Sequence, residues 1–75
     1  MDENYNTEMF KIKVRLKELR KERGWTQRQM SEKINKSITG YASWEQGLSE
    51  PGIEDLRKLC IVYNISADYL LGLED

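Results

Sequence analysis

"TQRQMSEKINKSITGYASWEQG", residues 26–47, decides the fold. Thr26 followed by Gln29 is a capping box: the hydroxyl takes a backbone donor and the amide reaches back to the cap. Met30 and Ile34 are then the inward positions of a short helix over about 27–34. Asn35 tolerates positive φ and suits a tight turn. Ser37 caps a second helix running to about Gln46, and Gly47 stops it. Two helices of about two turns each, joined by about three residues, have the spacing of a helix-turn-helix. Helices this short are unstable alone, so their shared face must be strongly specified. Met30, Ile34, Tyr41 and Trp44 supply that face.

Upstream, Met9, Ile12, Leu16 and Leu19 mark one face of a helix over residues 9–23, with Val14 off the stripe. Gly24 ends it, and Lys21 and Arg23 lie in the last turn, where the dipole favours cations. Residues 1–8 have no periodicity and read as a mobile N-terminal arm before a single domain of residues 9–75. Downstream, Pro51 and Gly52 set the entry to a fourth helix over 53–63. Ile53, Leu56, Leu59, Cys60 and Tyr63 are expected on its inner side, with Glu54 and Asp55 in its first turn. Asn64 breaks the chain, Ser66 caps a short fifth helix in "ADYLLG", and Gly72 ends it. Nothing repeats internally.

Seventy-five residues make one domain with one small core. The hydrophobic content is 39%, and at 33% charged the surface must be heavily ionic. Helix formers dominate and no β-branched run alternates over a strand's length, so the expected class is all-α. No apolar stretch approaches the roughly 20 residues that span a bilayer. The acidic start "MDENYNTEMF" is unlike a secretory signal. One cysteine, Cys60, cannot form an internal disulfide and reads as core filler inside the fourth helix. With no His, zinc and imidazole chemistry lack their usual ligands. No cofactor or metal is expected, and the compartment reads as cytoplasmic.

The net charge of −1 taken alone argues against nucleic acid, but its distribution does not. Residues 11–36 hold ten basic side chains (Lys11, Lys13, Arg15, Lys17, Arg20, Lys21, Arg23, Arg28, Lys33, Lys36) against Glu18, Glu22 and Glu32. The rest of the chain holds two basic and ten acidic ones. Segregation on that scale gives one basic and one acidic face; the plainer alternative is a solvated helix with ordinary Glu–Lys spacing.

"LKELRKERGWTQRQMSEKI", "SWEQGLSEP", "LRKLC" and "ISADYLLG" together resemble the Cro/C1-type helix-turn-helix family, with its lambda-repressor-like five-helix fold. The resemblance covers roughly residues 11–73. It implies that Gln27 bonds a DNA phosphate and buttresses the recognition helix, while Thr26 caps a helix whose free amides favour that phosphate. It implies a structural ion pair between Arg20 and Glu45. Gln46 and the backbone of Leu48 and Ser49 match phosphate-touching positions, and Ile38, Thr39, Ala42 and Ser43 match base-facing ones. Arg28 and Lys36 flank the expected groove and are further phosphate candidates. Each has a plainer reading: Gln27 as a well-placed first-turn residue, Arg28 and Lys36 as surface cations, Tyr41 and Trp44 as core. The chain departs from the family's habit at Asn35, where Gly is common, at Lys36, where an apolar residue is usual, and at Glu50, which places negative charge near the DNA backbone.

Tyr41 and Trp44 claim the inward side of the third helix, so the same four residues, Ile38, Thr39, Ala42 and Ser43, are left outward. Ile38 and Ala42 can contact thymine methyls, and Thr39 and Ser43 can bond donors or acceptors on base edges. Gly40 costs about 1 kcal/mol relative to Ala inside a helix, tolerable if it lets the backbone seat deep in the major groove. Readout would lean on phosphates and DNA shape.

The expected function is a sequence-specific, DNA-binding transcriptional regulator, a phage, mobile-element or bacterial repressor. It would bind double-stranded DNA at a palindromic operator as a homodimer, because one helix in one groove buries too little for specificity. By resemblance the dimer surface falls near the fifth helix, with Tyr69, Leu70, Leu71 and Leu73 as candidates or, equally, as monomer core. The competing reading is a protein-interaction module, an antitoxin or anti-repressor partner on the same fold. An enzyme is not expected: there is no His, no glycine-rich phosphate loop, no nucleophile beside a base and no site for a small-molecule substrate.

Overall fold

The computed structural model describes residues 3–74, with side chains from Lys11 onward. Five helices follow one another: α1 Glu3–Glu22, α2 Gln27–Lys33, α3 Ile38–Gln46, α4 Ile53–Tyr63 and α5 Ala67–Leu70. No strand occurs among the described residues, and the class is all-α. None of these helices is long and apolar enough to cross a membrane.

The expected boundaries of α2 to α5 lie within a residue or two of those observed; α1 differs. It begins at Glu3, not Met9. The arm expected over residues 1–8 is therefore helical backbone from Glu3 onward, and Met1 and Asp2 lie outside the described residues. The apolar periodicity begins only at Met9, whereas helix elongation gains one hydrogen bond per residue fixed whatever the side-chain pattern.

Local chemistry sets the ends. Both hydrogen bonds of the Thr26–Gln29 capping box form, at 2.8 and 3.0 Å. Ser37 and Ser66 accept from Gly40 N and Tyr69 N, each at 3.0 Å. The α2 terminus closes as a Schellman turn: Lys36 N donates to Ser31 O and Asn35 N to Glu32 O, with Asn35 at φ 57°. Asn64 closes α4 in the same way.

The core is the apolar stripe of α1 closed over by the helix-turn-helix and α4. Ile12, Leu16, Leu19, Met30, Ile34, Tyr41, Trp44, Leu59, Tyr63 and Leu70 are all buried. Tyr41 meets Trp44 edge-on at 5.8 Å between ring centroids, and Trp25 stacks on Tyr63 at 6.0 Å. Two expectations for α4 fail. Ile53 is 82% exposed rather than inward, and Cys60 is only half-buried rather than a core filler. Leu59 and Tyr63 fix the inner face, and Ile53, about one and two-thirds turns before Leu59, falls on the other side. Leu70 is fully buried, so of the two roles open to it the monomer's core is the one it fills.

Helix α4 also braces the turn between α2 and α3. Lys58 Nζ donates to Ile34 O at 3.2 Å, and Lys36 Nζ lies 2.9 Å from Asp55 Oδ2. The C-terminal residues are held to α1 by Arg15, which donates to the carbonyls of Tyr69 and Glu74 and covers the Tyr69 ring.

Candidate nucleic-acid interface

Glu45 organises this surface from behind. Its side chain is 3% exposed and takes a bidentate pair of bonds from Arg20, Nε to Oε2 at 2.8 Å and Nη2 to Oε1 at 3.1 Å. Gln27 Nε2 donates to Oε1 at 3.2 Å. Burial would push the Glu45 carboxyl up, but hydrogen bonds from Arg20, Tyr41 and Gln27, with the Arg20 charge, hold it below its ordinary value of 4.5. Burial, with bonds to Glu45 and Tyr63, pushes the Tyr41 phenol well above its ordinary range. Arg20 Nη1 donates to Trp25 O at 2.9 Å, fixing the chain just before Thr26. One buried carboxylate thus ties α1, the start of α2 and the end of α3 together, with its charge paired to Arg20.

In front of Glu45, α3 presents its outward side. Thr39 is exposed, and Ile38, Ala42 and Ser43 are half-buried rather than enclosed. Ser43 is less available than its position implies. Its Oγ donates to Gly40 O at 2.7 Å and lies 2.6 Å from Ser49 Oγ. With the Ser43 proton on the Gly40 carbonyl, Ser49 is the donor, and the pair pins the loop after α3 to the helix. Thr39 alone of the two hydroxyl residues stands open.

Gly40 has a local explanation beside the one expected. A Cβ there would sit 3.0 Å from Ser37 Oγ and 3.6 Å from Lys36 Cγ. The missing side chain makes room for the α3 cap and for the Lys36 stem. Lys36 passes that point toward Asp55 and lies 5.7 Å above the Trp44 ring. Its ammonium therefore faces α4, not an empty groove.

Arg28 is exposed on α2, and Gln46, Leu48 and Ser49 are exposed at the other end, Leu48 at 76%. Glu50 is exposed beside them. A groove between α1 and α3 is lined by Lys13, Val14, Lys17, Glu18, Lys21 and Glu45. In the sequence these lysines stand in the basic stretch of residues 11–36 with no motif to single them out. Their spacing of four residues was the available signal.

A helix-turn-helix family profile matches residues 16–70. The chain is 39% identical over 61 residues to the HTH-type transcriptional regulator ImmR of Bacillus subtilis, covering 81% of this chain and 48% of that one. It is 42% identical over 63 residues to the cryptic phage CTXphi transcriptional repressor RstR of Vibrio cholerae, covering 84% and 56%. It is 35% identical over 57 residues to the SPbeta prophage-derived uncharacterized HTH-type transcriptional regulator YonR of Bacillus subtilis, covering 76% and 53%. The chain spans about half the length of the curated relatives it matches. No solved structure gives a significant match. With its capped α2, its buried Arg20–Glu45 pair and its open α3, the chain belongs to the Cro/C1-type helix-turn-helix family.

Proposed function

We propose that the domain binds duplex DNA in a sequence-specific manner and regulates transcription as a phage or mobile-element repressor, a reading supported by its similarity to RstR, named a cryptic phage transcriptional repressor, and to YonR, named a prophage-derived transcriptional regulator. The observation that carries this reading is the uncharged outward side of α3. It stands between the capped start of α2 and the Ser43–Ser49-pinned loop, with its one acidic residue, Glu45, turned inward and neutralised. In this reading α3 enters the major groove with Ile38, Thr39, Ala42 and Ser43 toward the bases, Thr39 foremost. Thr26, Gln27 and Arg28 hold phosphates on one side, and Gln46, Leu48 and Ser49 hold them on the other. Lys36, held by Asp55, is assigned to the scaffold instead.

The domain acts as a homodimer on a palindromic operator in the cytoplasm. Two copies about one helical turn apart supply the buried surface that one recognition helix lacks. Exposed apolar side chains suited to such a contact stand at Leu73, 61% exposed, and at Ile61, 72% exposed, on α4. Selecting bound sequences from a random duplex pool tests the whole reading. A palindrome with half-sites one turn apart is the expected product, and an unenriched pool would overturn it. Salt titration separates this from a protein-interaction module: phosphate contacts give a log–log slope of about −0.9 each, and a partner-only module gives none on DNA.

A further inference from the structure

Resting on the DNA-binding reading, we propose that Lys13, Lys17 and Lys21 form a phosphate-binding row along α1 that joins the two ends of the recognition surface. The spacing i, i+4, i+8 sets the three in one line of about 12 Å along the helix. Over that axial length a single DNA strand presents three to four phosphates, at about 3.4 Å each.

Position supports the assignment. All three line one open groove against Glu45 of α3. At one end the Lys13 stem packs on the loop after α3, its Cδ 3.1 Å from where a Cβ on Gly47 would stand. Gly47 is at φ 78°, so the loop that continues into Leu48 and Ser49 turns at that point. At the other end Lys21 O accepts from Gly24 N, just ahead of Thr26 and the start of α2. The row therefore runs from the loop after α3 to the last turn of α1, from which the chain leads into Thr26.

Charge supports it as well. The arginines of α1 serve the fold: Arg15 holds the Tyr69 and Glu74 carbonyls, and Arg20 holds Glu45. Lys13, Lys17 and Lys21 line the groove, and Lys17 and Lys21 are exposed. Of the two acids there, Glu45 is neutralised, leaving Glu18 to subtract from the field. A flexible ammonium on an exposed stem suits a phosphate better than a base edge. The row should therefore raise affinity for every duplex and leave sequence preference alone.

The experiment is a salt titration of the full chain binding a random-sequence duplex, followed by fluorescence anisotropy. Wild type is compared with K17Q/K21Q, K13Q/K17Q/K21Q, K17R/K21R and E18Q, with thermal melts confirming the fold of each. The double Gln variant should flatten the log–log slope by about 1.8 and the triple by about 2.7. The double Arg variant should keep the wild-type slope, E18Q should bind at least as tightly as wild type, and the selected operator should be unchanged. A triple variant with the wild-type slope would overturn the row while leaving the DNA-binding reading intact. A folded wild type with no measurable DNA binding would overturn both.

Discussion

Gln27 donates its side-chain amide to Glu45 Oε1 at 3.2 Å, which couples the first residue of α2 to the last turn of α3. An amide nitrogen carries two donors, so one can hold Glu45 while the other is offered outward. The residue expected at a phosphate is thereby oriented before any DNA arrives. This fuses the two readings of Gln27, as helix residue and as contact, into one arrangement.

Gln27→Ala should therefore weaken binding to cognate and random duplexes by a similar factor. One charge-assisted hydrogen bond of about 1.5 kcal/mol corresponds to roughly tenfold in affinity. Anisotropy titrations on both duplexes check it, and a loss confined to the cognate site would refute the phosphate role.

Thr39→Ala should behave in the opposite way. Thr39 is the exposed hydroxyl on α3, and Ser43 already has local partners. Its loss should relax preference at one position of each half-site, at a cost of about 1–3 kcal/mol on the best base, and leave the salt slope alone. Repeating the sequence selection with the variant reads this directly.

Glu45→Ala should destabilise the fold by about 3 kcal/mol, because it leaves the Arg20 guanidinium, 12% exposed, without its partner. Combining it with Arg20→Ala should cost less than the two single changes summed. Urea melts of the four proteins measure the coupling. Strict additivity would mean that the pair does not act as one unit.

The depressed Glu45 pKa sets a pH dependence. The unfolded carboxyl binds its proton at a higher pH than the folded one. The stabilisation is therefore complete above the ordinary value and is lost as pH falls through the folded value. Between about pH 6 and about pH 3, wild type should lose more stability than Glu45→Gln, which has no carboxyl to protonate there. Parallel curves would remove Glu45 as a source of the acid sensitivity.

Lys36→Gln should lower stability by up to about 1 kcal/mol, since the pair with Asp55 is only partly shielded from solvent. Its salt slope on random duplex should equal that of wild type. A slope flatter by about 0.9 would return Lys36 to the phosphate contacts.

The sequence by itself determined the five helices, their ends apart from the start of α1, and most of the core. A capping box, a serine cap and an αL asparagine act within four or five residues of chain, and a stripe such as Ile12–Leu16–Leu19 announces its own buried face. That locality is why the helix-turn-helix was legible from residues 26–47 and its outward residues could be named. Only the tertiary structure decided what joins residues distant in the chain. Lys36 turned to Asp55, Gln27 to Glu45, Ser43 to Ser49 and Leu70 into the core, while Ile53 turned out. Neither propensity nor periodicity measures the distance between two helices, and a long side chain bonds whichever partner the packing brings within about 3 Å.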